Sequence, residues 1–161
     1  MVLKGDSCLL NGRKPFFMPD WSQEIGATDC MILRVSRLGK EIAPKFAHRY
    51  YDAVTPGVDF TALDMLREVE QAGKPWTRAI AFDYSLAIGE WMLLNGEKMV
   101  VDGGDWIMTP EEAIAEASKV MTIRQGDLIY IQKRTEPVVV HKEDVITGNL
   151  NGEEKLYCKI K

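Results

Sequence analysis

Short apolar runs, many of them alternating with polar residues, recur along the chain and predict a mostly β structure. The clearest run is Cys30–Leu38, where Arg34 and Ser36 alternate with apolar neighbours, which is typical of a strand with one wet face. Asn11-Gly12 stands between two short apolar runs and predicts a tight hairpin turn. The predicted strands are Ser7–Leu10, Lys14–Met18, Cys30–Leu38, Val54–Asp59, Ile80–Met92, Lys98–Val101, Asp127–Gln132, Pro137–His141, Val145–Thr147 and Lys155–Ile160.

Two segments have apolar positions at helical spacing behind a cap signal. Thr109-Pro110-Glu111-Glu112 combines a Thr cap, a Pro at the first helical position and a capping-box Glu. Thr61 is predicted as the cap of the other helix, with Asp64 in its first turn and Gly73 as its stop. Two main helices among many strands predict an α+β, predominantly β fold. The predicted helices are Thr61–Ala72 and Pro110–Met121, with a shorter one in Ala43–Tyr51.

Composition narrows the class of protein. The 161 residues fit one domain, 1–161, and 46% apolar with 27% charged residues is typical of a globular protein. A net charge of −4 without a basic, aromatic-rich stripe argues against nucleic-acid binding. No apolar run has the length of a membrane helix, and the N-terminus lacks the apolar core of a signal peptide. The three widely spaced cysteines form no zinc motif or disulfide framework, which favours a cytoplasmic location.

The residues alone indicate no catalytic centre. Asp59 ends a predicted strand just before a helix, where a carboxylate either caps the helix or binds a metal, and Asp29 is a possible second hard ligand. His48 lies in an aromatic-rich stretch and His141 ends a predicted strand, so both are interpreted as structural. There is no GxSxG motif for a serine nucleophile.

Seven short motifs are spread along nearly the whole chain: Lys4–Ser7, Asn11–Asp20, Arg37–Lys40, Val58–Asp64, Phe82–Ser85, Ile88–Glu90 and Gly126–Ile129. In these motifs and in their order, the sequence resembles the fumarylacetoacetate hydrolase family. The resemblance implies a mixed β-sandwich roll and a homodimer. It also implies metal-dependent cleavage or decarboxylation of 2,4-dioxo acids of the acylpyruvate type, in which Mg²⁺ or Mn²⁺ polarises the substrate oxygens.

The sequence departs from the family pattern at the positions that the family uses for metal binding and catalysis. The Glu-x-Glu metal ligands of the family fall on Thr28-Asp29-Cys30, so that only Asp59 matches a family ligand. The family's Lys falls on Ile80 and the Arg of its Ala-Arg-Asp triplet falls on Leu63. Its Thr-Gly-Thr-Pro substrate loop falls on Ile131–Arg134, and the N-terminal segment that brings a catalytic His is expected to be missing.

These departures predict a catalytically degenerate family member that acts as a binding module or an oligomer partner. No catalytic residue and no cofactor are expected, Asp59 is interpreted as vestigial, and Phe17, Trp91 and Trp106 are candidates for a dimer surface. One alternative is an enzyme with a rearranged metal site, in which a softer cation such as Zn²⁺ or Fe²⁺ is held by a different set of side chains. Another is a metal-free site for a small anion. The candidate residues are Asp29 and Asp59 with either Cys30 or Asp83 for the first alternative, and Lys133 and Arg134 for the second.

Overall fold

The computed structural model of the chain describes residues 1–95 and 104–161. In that part of the chain the structure has nine strands and four α-helices, which confirms the prediction of an α+β, predominantly β fold. The strands are β1 (Leu9–Asn11), β2 (Ile25–Val35), β3 (Tyr51–Ala62), β4 (Leu86–Ile88), β5 (Met92–Leu93), β6 (Leu128–Gln132), β7 (Val138–Val139), β8 (Val145–Leu150) and β9 (Glu153–Lys159). The helices are α1 (Pro44–Ala47), α2 (Leu63–Gln71), α3 (Thr77–Ile80) and α4 (Pro110–Val120).

Seven of the strands form one sheet. Its order is β1-β4-β3-β2-β6, with β5 paired to β3 and β7 paired to β2. Strand β1 runs parallel to β4, and β3 and β4 are antiparallel with Asp59 opposite Leu86. Strands β8 and β9 form a separate antiparallel hairpin. The two long strands β2 and β3 therefore carry most of the pairing, and Asp59 lies on one of them.

The chain divides into two compact units, and Asp59 belongs to the first. This unit comprises residues 1–29, 56–90 and 135–161. Its core is a cluster of buried side chains in which Phe16 stacks on Phe60 with 3.9 Å between ring centroids. The cluster also includes residues of β2, β3, α2 and β9 and the residue after β9: Ile25, Val58, Met65, Val69, Leu156, Cys158 and Ile160.

Polar contacts fix the start of α2 in the same unit. The Asp64 carboxylate accepts hydrogen bonds from Ser22 Oγ at 2.7 Å and from the backbone N–H of Gln23 at 2.8 Å. Gly26 then passes so close to the first residue of the helix that an added Cβ would lie 2.8 Å from Leu63 Cδ1. The end of β3 and the beginning of α2 are held in place by these contacts.

The second unit comprises residues 30–55 and 91–134. Helix α4 begins with the predicted capping box, in which the Thr109 hydroxyl accepts from the N–H of Glu112 and the Glu112 carboxylate accepts from the N–H of Thr109. Ser118 near the end of α4 accepts a hydrogen bond from the N–H of Ile42 at 2.9 Å. Helix α4 is thereby tied to the chain just before α1.

Several predicted elements are wrong in detail. The Asn11-Gly12 turn does not close a hairpin, because β1 pairs in parallel with β4 and Phe16 pairs with Ile160. The predicted strand Ile80–Met92 is broken, since Ile80 ends a helix and only Leu86–Ile88 and Met92–Leu93 are strands. Thr61 is the penultimate residue of β3 rather than a helix cap.

The predicted strand Lys14–Met18 is wrong, since only Phe16 within it forms an isolated bridge, to Ile160. The remaining predictions that fall on described residues correspond to observed elements with shifted ends. Strand β2 begins five residues before the predicted Cys30. The predicted strand Lys98–Val101 lies outside the described residues. Within the part of the chain that the structure describes, no helix is long and apolar enough to cross a membrane.

Candidate functional site

Asp59 lies on β3 and its side chain is almost fully removed from solvent. The partner of its carboxylate is Lys4, whose Nζ lies 2.7 Å from Asp59 Oδ1. The two side chains are 3% and 4% exposed respectively, so this is a buried ion pair. The carboxylate that matches a family metal ligand is therefore held against an ammonium group of the same chain.

Lys4 has further oxygen partners. Its Nζ donates to Ser85 Oγ at 2.9 Å, to the Ser85 carbonyl oxygen at 3.2 Å and to the carbonyl oxygen of Ile80. Ser85 is fully buried, and its carbonyl oxygen also accepts from the N–H of Phe60 at 2.8 Å. A buried ammonium group is stable only when its donors are satisfied in this way.

The pairing register of β3 and β4 explains why Ser85 lies beside this ion pair. Because β3 and β4 are antiparallel with Asp59 opposite Leu86, the residue before β4 comes next to Asp59. That residue is Ser85, which brings its hydroxyl and carbonyl groups to the end of the Lys4 side chain. Sequence reasoning missed Lys4 and Ser85 as site residues, although both lie in stretches that carry the family resemblance.

The two other positions of the family metal ligands lie on β2. Thr28 and Cys30 are 5% and 2% exposed, whereas Asp29 between them is exposed, as strand alternation requires. Thr28 offers a neutral hydroxyl and Cys30 a soft thiol, whereas Mg²⁺ and Mn²⁺ prefer carboxylate and other hard oxygen ligands. Among residues 1–95 and 104–161, no group of three or more His, Cys, Asp or Glu side chains could hold a metal ion.

Two further positions, at which the resemblance implies a charged side chain, carry apolar residues. Ile80, at the position of the family's Lys, ends α3, and its carbonyl oxygen accepts from Lys4 Nζ. Leu63, at the position of the family's Arg, is the first residue of α2. Neither side chain can bind a substrate carboxylate or transfer a proton.

The candidate anion-binding residues Lys133 and Arg134 belong to the second unit and directly follow β6. Arg134 is exposed, and its Nε lies 3.5 Å from a carboxylate oxygen of Asp105. Lys133 Nζ lies 5.7 Å from the centroid of the Trp106 ring, a distance at which a cation–π contact forms. An anion at this position would compete with Asp105 for the Arg134 guanidinium.

The structure also places the histidines and the cysteines. His48 is the cap residue at the end of α1, and the His141 side chain is exposed with Nδ1 3.7 Å from Asp144. All three cysteines are buried thiols. Burial raises the pKa of the Cys158 thiol, against a lowering effect of a backbone hydrogen bond with Phe16, so this thiol stays protonated at neutral pH.

Comparisons with known proteins agree with this fold. Residues 1–153 match the family described as fumarylacetoacetate (FAA) hydrolase C-terminal, so the chain belongs to the fumarylacetoacetate hydrolase family. The mouse protein named mitochondrial oxaloacetate tautomerase FAHD1 is 22% identical over 177 residues, which cover 100% of this chain and 80% of the mouse protein.

Solved structures show the same fold at lower identity. A putative fumarylpyruvate hydrolase from Burkholderia cenocepacia superposes with a TM-score of 0.89 at 18% identity, covering 98% of this chain and 77% of that one. The fumarylpyruvate hydrolase from Pseudomonas aeruginosa, solved with Mn²⁺ and pyruvate, gives a TM-score of 0.80 at 16% identity and covers 98% and 76%. The family and the fold expected from the sequence motifs are thus confirmed.

Proposed function

We propose that this chain keeps the family fold without the family's divalent-metal centre and acts as a binding module or an oligomer partner. The observation that carries the proposal is the set of donors at the three ligand positions. Thr28 supplies a hydroxyl, Cys30 a thiol, and the Asp59 carboxylate is paired with Lys4. Because Mg²⁺ needs rigidly held hard oxygens, this set favours a protein that works without the metal.

The energetics of the Lys4–Asp59 ion pair also argue against metal binding at Asp59. A divalent cation that approached Asp59 would have to displace the Lys4 ammonium or sit beside it at the cost of like-charge repulsion. The loss of one group that hydrogen-bonds to a metal ligand already costs a metal site about 10–100-fold in affinity. Two missing carboxylates in direct contact with the metal should cost more.

The alternative is a metal-dependent hydrolase or decarboxylase of 2,4-dioxo acids with a rearranged site. Its support lies in the relatives, because the Pseudomonas enzyme was solved with Mn²⁺ and pyruvate and the mouse relative is named as an oxaloacetate tautomerase. The retained Asp59 also favours it. A cytoplasmic location stays a prediction, and the mouse relative is named as mitochondrial.

A metal titration separates the two functions. We expect calorimetry with Mg²⁺ and Mn²⁺ to give no binding in the micromolar range, which corresponds to about −8 kcal/mol. The control is the double variant Lys4→Met/Asp59→Leu, which removes both buried charges together. Micromolar binding by the natural chain that the double variant loses, or turnover of an acylpyruvate at ordinary enzyme rates, would overturn the proposal.

A gain-of-binding experiment tests the cause of the loss. Thr28 and Cys30 point to the same side of β2, so Thr28→Glu/Cys30→Glu places two carboxylates on one face of the strand. We expect this variant to bind Mg²⁺ or Mn²⁺ measurably, and more tightly when Lys4→Met also removes the competing ammonium. Catalysis should not return, because general acid–base groups contribute a separate factor of about 10²–10⁴. A variant that stays folded and binds no metal would refute the assignment of these positions.

The remaining possibility is a small anion held by Lys133 and Arg134. The exposed guanidinium of Arg134 suits a carboxylate, which it can bind through two parallel hydrogen bonds. A calorimetric screen of dicarboxylates against the natural chain and against Arg134→Gln tests this. Equal binding by both proteins would exclude the site.

A further inference from the structure

An open cleft of about 400 Å³ lies in the first unit, and its lining includes neither Lys4 nor Asp59. Its size falls in the range of small-molecule sites, about 300–1,000 Å³. Four of its six lining residues are aromatic and one is a carboxylate: Phe17, Pro19, Trp21, Phe82, Asp83 and Tyr84.

Three of these rings are exposed. Phe17 is 67%, Trp21 45% and Tyr84 55% exposed to solvent. Single exposed apolar side chains are ordinary, but three large rings that line one cleft form the kind of apolar patch that marks a binding site. The cleft thus presents π-faces to whatever enters it.

The wall of the cleft is continuous with the core. Trp21 meets Phe82 edge to face, with 5.3 Å between ring centroids and an interplanar angle of 87°. Phe82 in turn contacts the core ring Phe16 at 6.4 Å. The contact with Phe82 restricts the orientation of the Trp21 ring, which reduces the cost of ordering it when a ligand binds.

The loop that carries Asp83 and Tyr84 is fixed as well. Tyr84 has a φ of 62°, in the left-handed region that aromatic residues rarely adopt, and its N–H donates to the Ser7 carbonyl at 3.0 Å. Lys4 clamps both ends of the loop through the carbonyl oxygens of Ile80 and Ser85. A strained residue that the surrounding structure holds in place is a feature of ligand-binding sites.

The charge of the lining selects the class of ligand. Asp83 is exposed, and the lining residues include no Lys, Arg or His. A carboxylate and the negative faces of aromatic rings both attract cations and repel anions. We propose that this cleft binds an organic cation with a quaternary or methylated ammonium group, which the rings surround while Asp83 balances its charge. None of the lining residues belongs to the Lys4–Asp59 ion pair on which the proposed function rests, although Lys4 also holds the loop that carries Asp83 and Tyr84.

The experiment titrates the whole chain with choline and with 3,3-dimethylbutan-1-ol, a neutral compound of the same shape. Binding is followed through the indole N–H resonance of Trp21, assigned with Trp21→Phe. We expect choline to shift this resonance with saturation and the neutral alcohol to bind at least about twofold more weakly, the smallest difference that one exposed cation–π contact makes.

Paired variants locate the site. Trp21→Leu should weaken choline binding about twofold to fivefold, whereas Trp76→Leu, at an exposed tryptophan that does not line the cleft, should leave it unchanged. For these variants binding is measured by calorimetry, and unfolding curves establish that each is folded. Asp83→Asn should weaken binding, and Glu68→Gln on the exposed side of α2 should not.

Three results would overturn the proposal. The first is equal binding of the alcohol and choline, which would make the cleft a site for apolar groups. The second is the absence of any choline-induced shift. The third is a Trp21 resonance that moves with protein concentration alone, which would mean that a second copy of the chain occupies the cleft.

Discussion

At the scale of single residues, Lys4 and Asp59 depend on each other. Each charge is shielded from water, and the 2.7 Å contact between Nζ and Oδ1 compensates for the hydration that both groups have lost. Ser85 adds a hydroxyl and a carbonyl acceptor to the same ammonium group. Removal of one member leaves the other as an uncompensated buried charge.

The substitution Lys4→Met should therefore lower the free energy of unfolding by about 3–5 kcal/mol, the usual cost of breaking a buried ion pair from one side. Urea unfolding measures it, with Lys14→Met at an exposed lysine as the matched control. The double variant Lys4→Met/Asp59→Leu should recover most of the loss. If Lys4→Met is as stable as the control, the ion pair is not formed in solution.

The Asp64 carboxyl group leads to a second prediction, which concerns the pH dependence of stability. Burial of Asp64 opposes ionisation, but hydrogen bonds from Gln23, Ser22 and Met65 outweigh it and lower the pKa of this carboxyl group below its usual value. A lowered folded-state pKa stabilises the protein above the unfolded pKa of about 3.9, and this stabilisation is lost as the pH falls through the folded value.

At pH 7, Asp64→Asn should be less stable than the natural chain by about 1 kcal/mol, since Asp64 is only partly buried. The difference should shrink below about pH 4 as the natural carboxylate takes up its proton. Denaturant unfolding at pH 7 and pH 3 checks both statements. A gap that is the same at the two pH values would contradict the role given to the ionised carboxylate.

At the scale of secondary-structure elements, sequence prediction succeeded where neighbouring residues satisfy each other's hydrogen-bonding groups. Thr109 and Glu112 satisfy each other's backbone groups, so the start of α4 could be predicted from its own residues. Thr61 offered the same type of signal, but pairing extends β3 through Ala62, and α2 begins without a side-chain cap. Pairing partners distant in sequence decided between strand and cap, and a single sequence does not contain that information.

The substitution Thr109→Ala should lower the free energy of unfolding by about 1 kcal/mol, because it exposes an N–H group that the hydroxyl now satisfies. The variant Thr61→Ala serves as the comparison, because it makes the same change at a threonine that caps no helix. Thermal unfolding of the two variants, with amide exchange in the first turn of α4, measures the effect. Unchanged exchange at Glu112 in Thr109→Ala would mean that the capping box adds nothing.

At the scale of the whole molecule, the fold of the family could be predicted from the sequence, whereas the surroundings of Asp59 could not. The seven motif stretches identified the family and the fold, and Asp59 is buried on β3, three residues before the end of that strand. The ammonium beside it could not be foreseen, because lysine is normally exposed and Lys4 is separated from Asp59 by more than fifty residues. Tertiary contacts, and not local pattern, decide what surrounds a retained ligand position.

Self-association remains the prediction for the whole molecule. Of the three aromatic residues that the sequence suggested for a dimer surface, Phe17 lines the cleft, while Trp91 and Trp106 are half-buried beside Arg34 and Lys133. Leu93 lies two residues after Trp91 and is 59% exposed. In extended chain, residues two apart point to the same side, so Trp91 and Leu93 can contribute to one apolar surface.

We expect sedimentation at tens of micromolar to give a species of about 36 kDa, twice the 18.2 kDa of one chain. A stable dimer buries about 800 Å² on each partner, and a charge placed within that area is costly to desolvate. Leu93→Lys should therefore shift the population to monomer, whereas Leu38→Lys, at a leucine that is 68% exposed, should not. A strict monomer at this concentration would refute the dimer. If the dimer is insensitive to Leu93→Lys, the interface lies elsewhere on the chain.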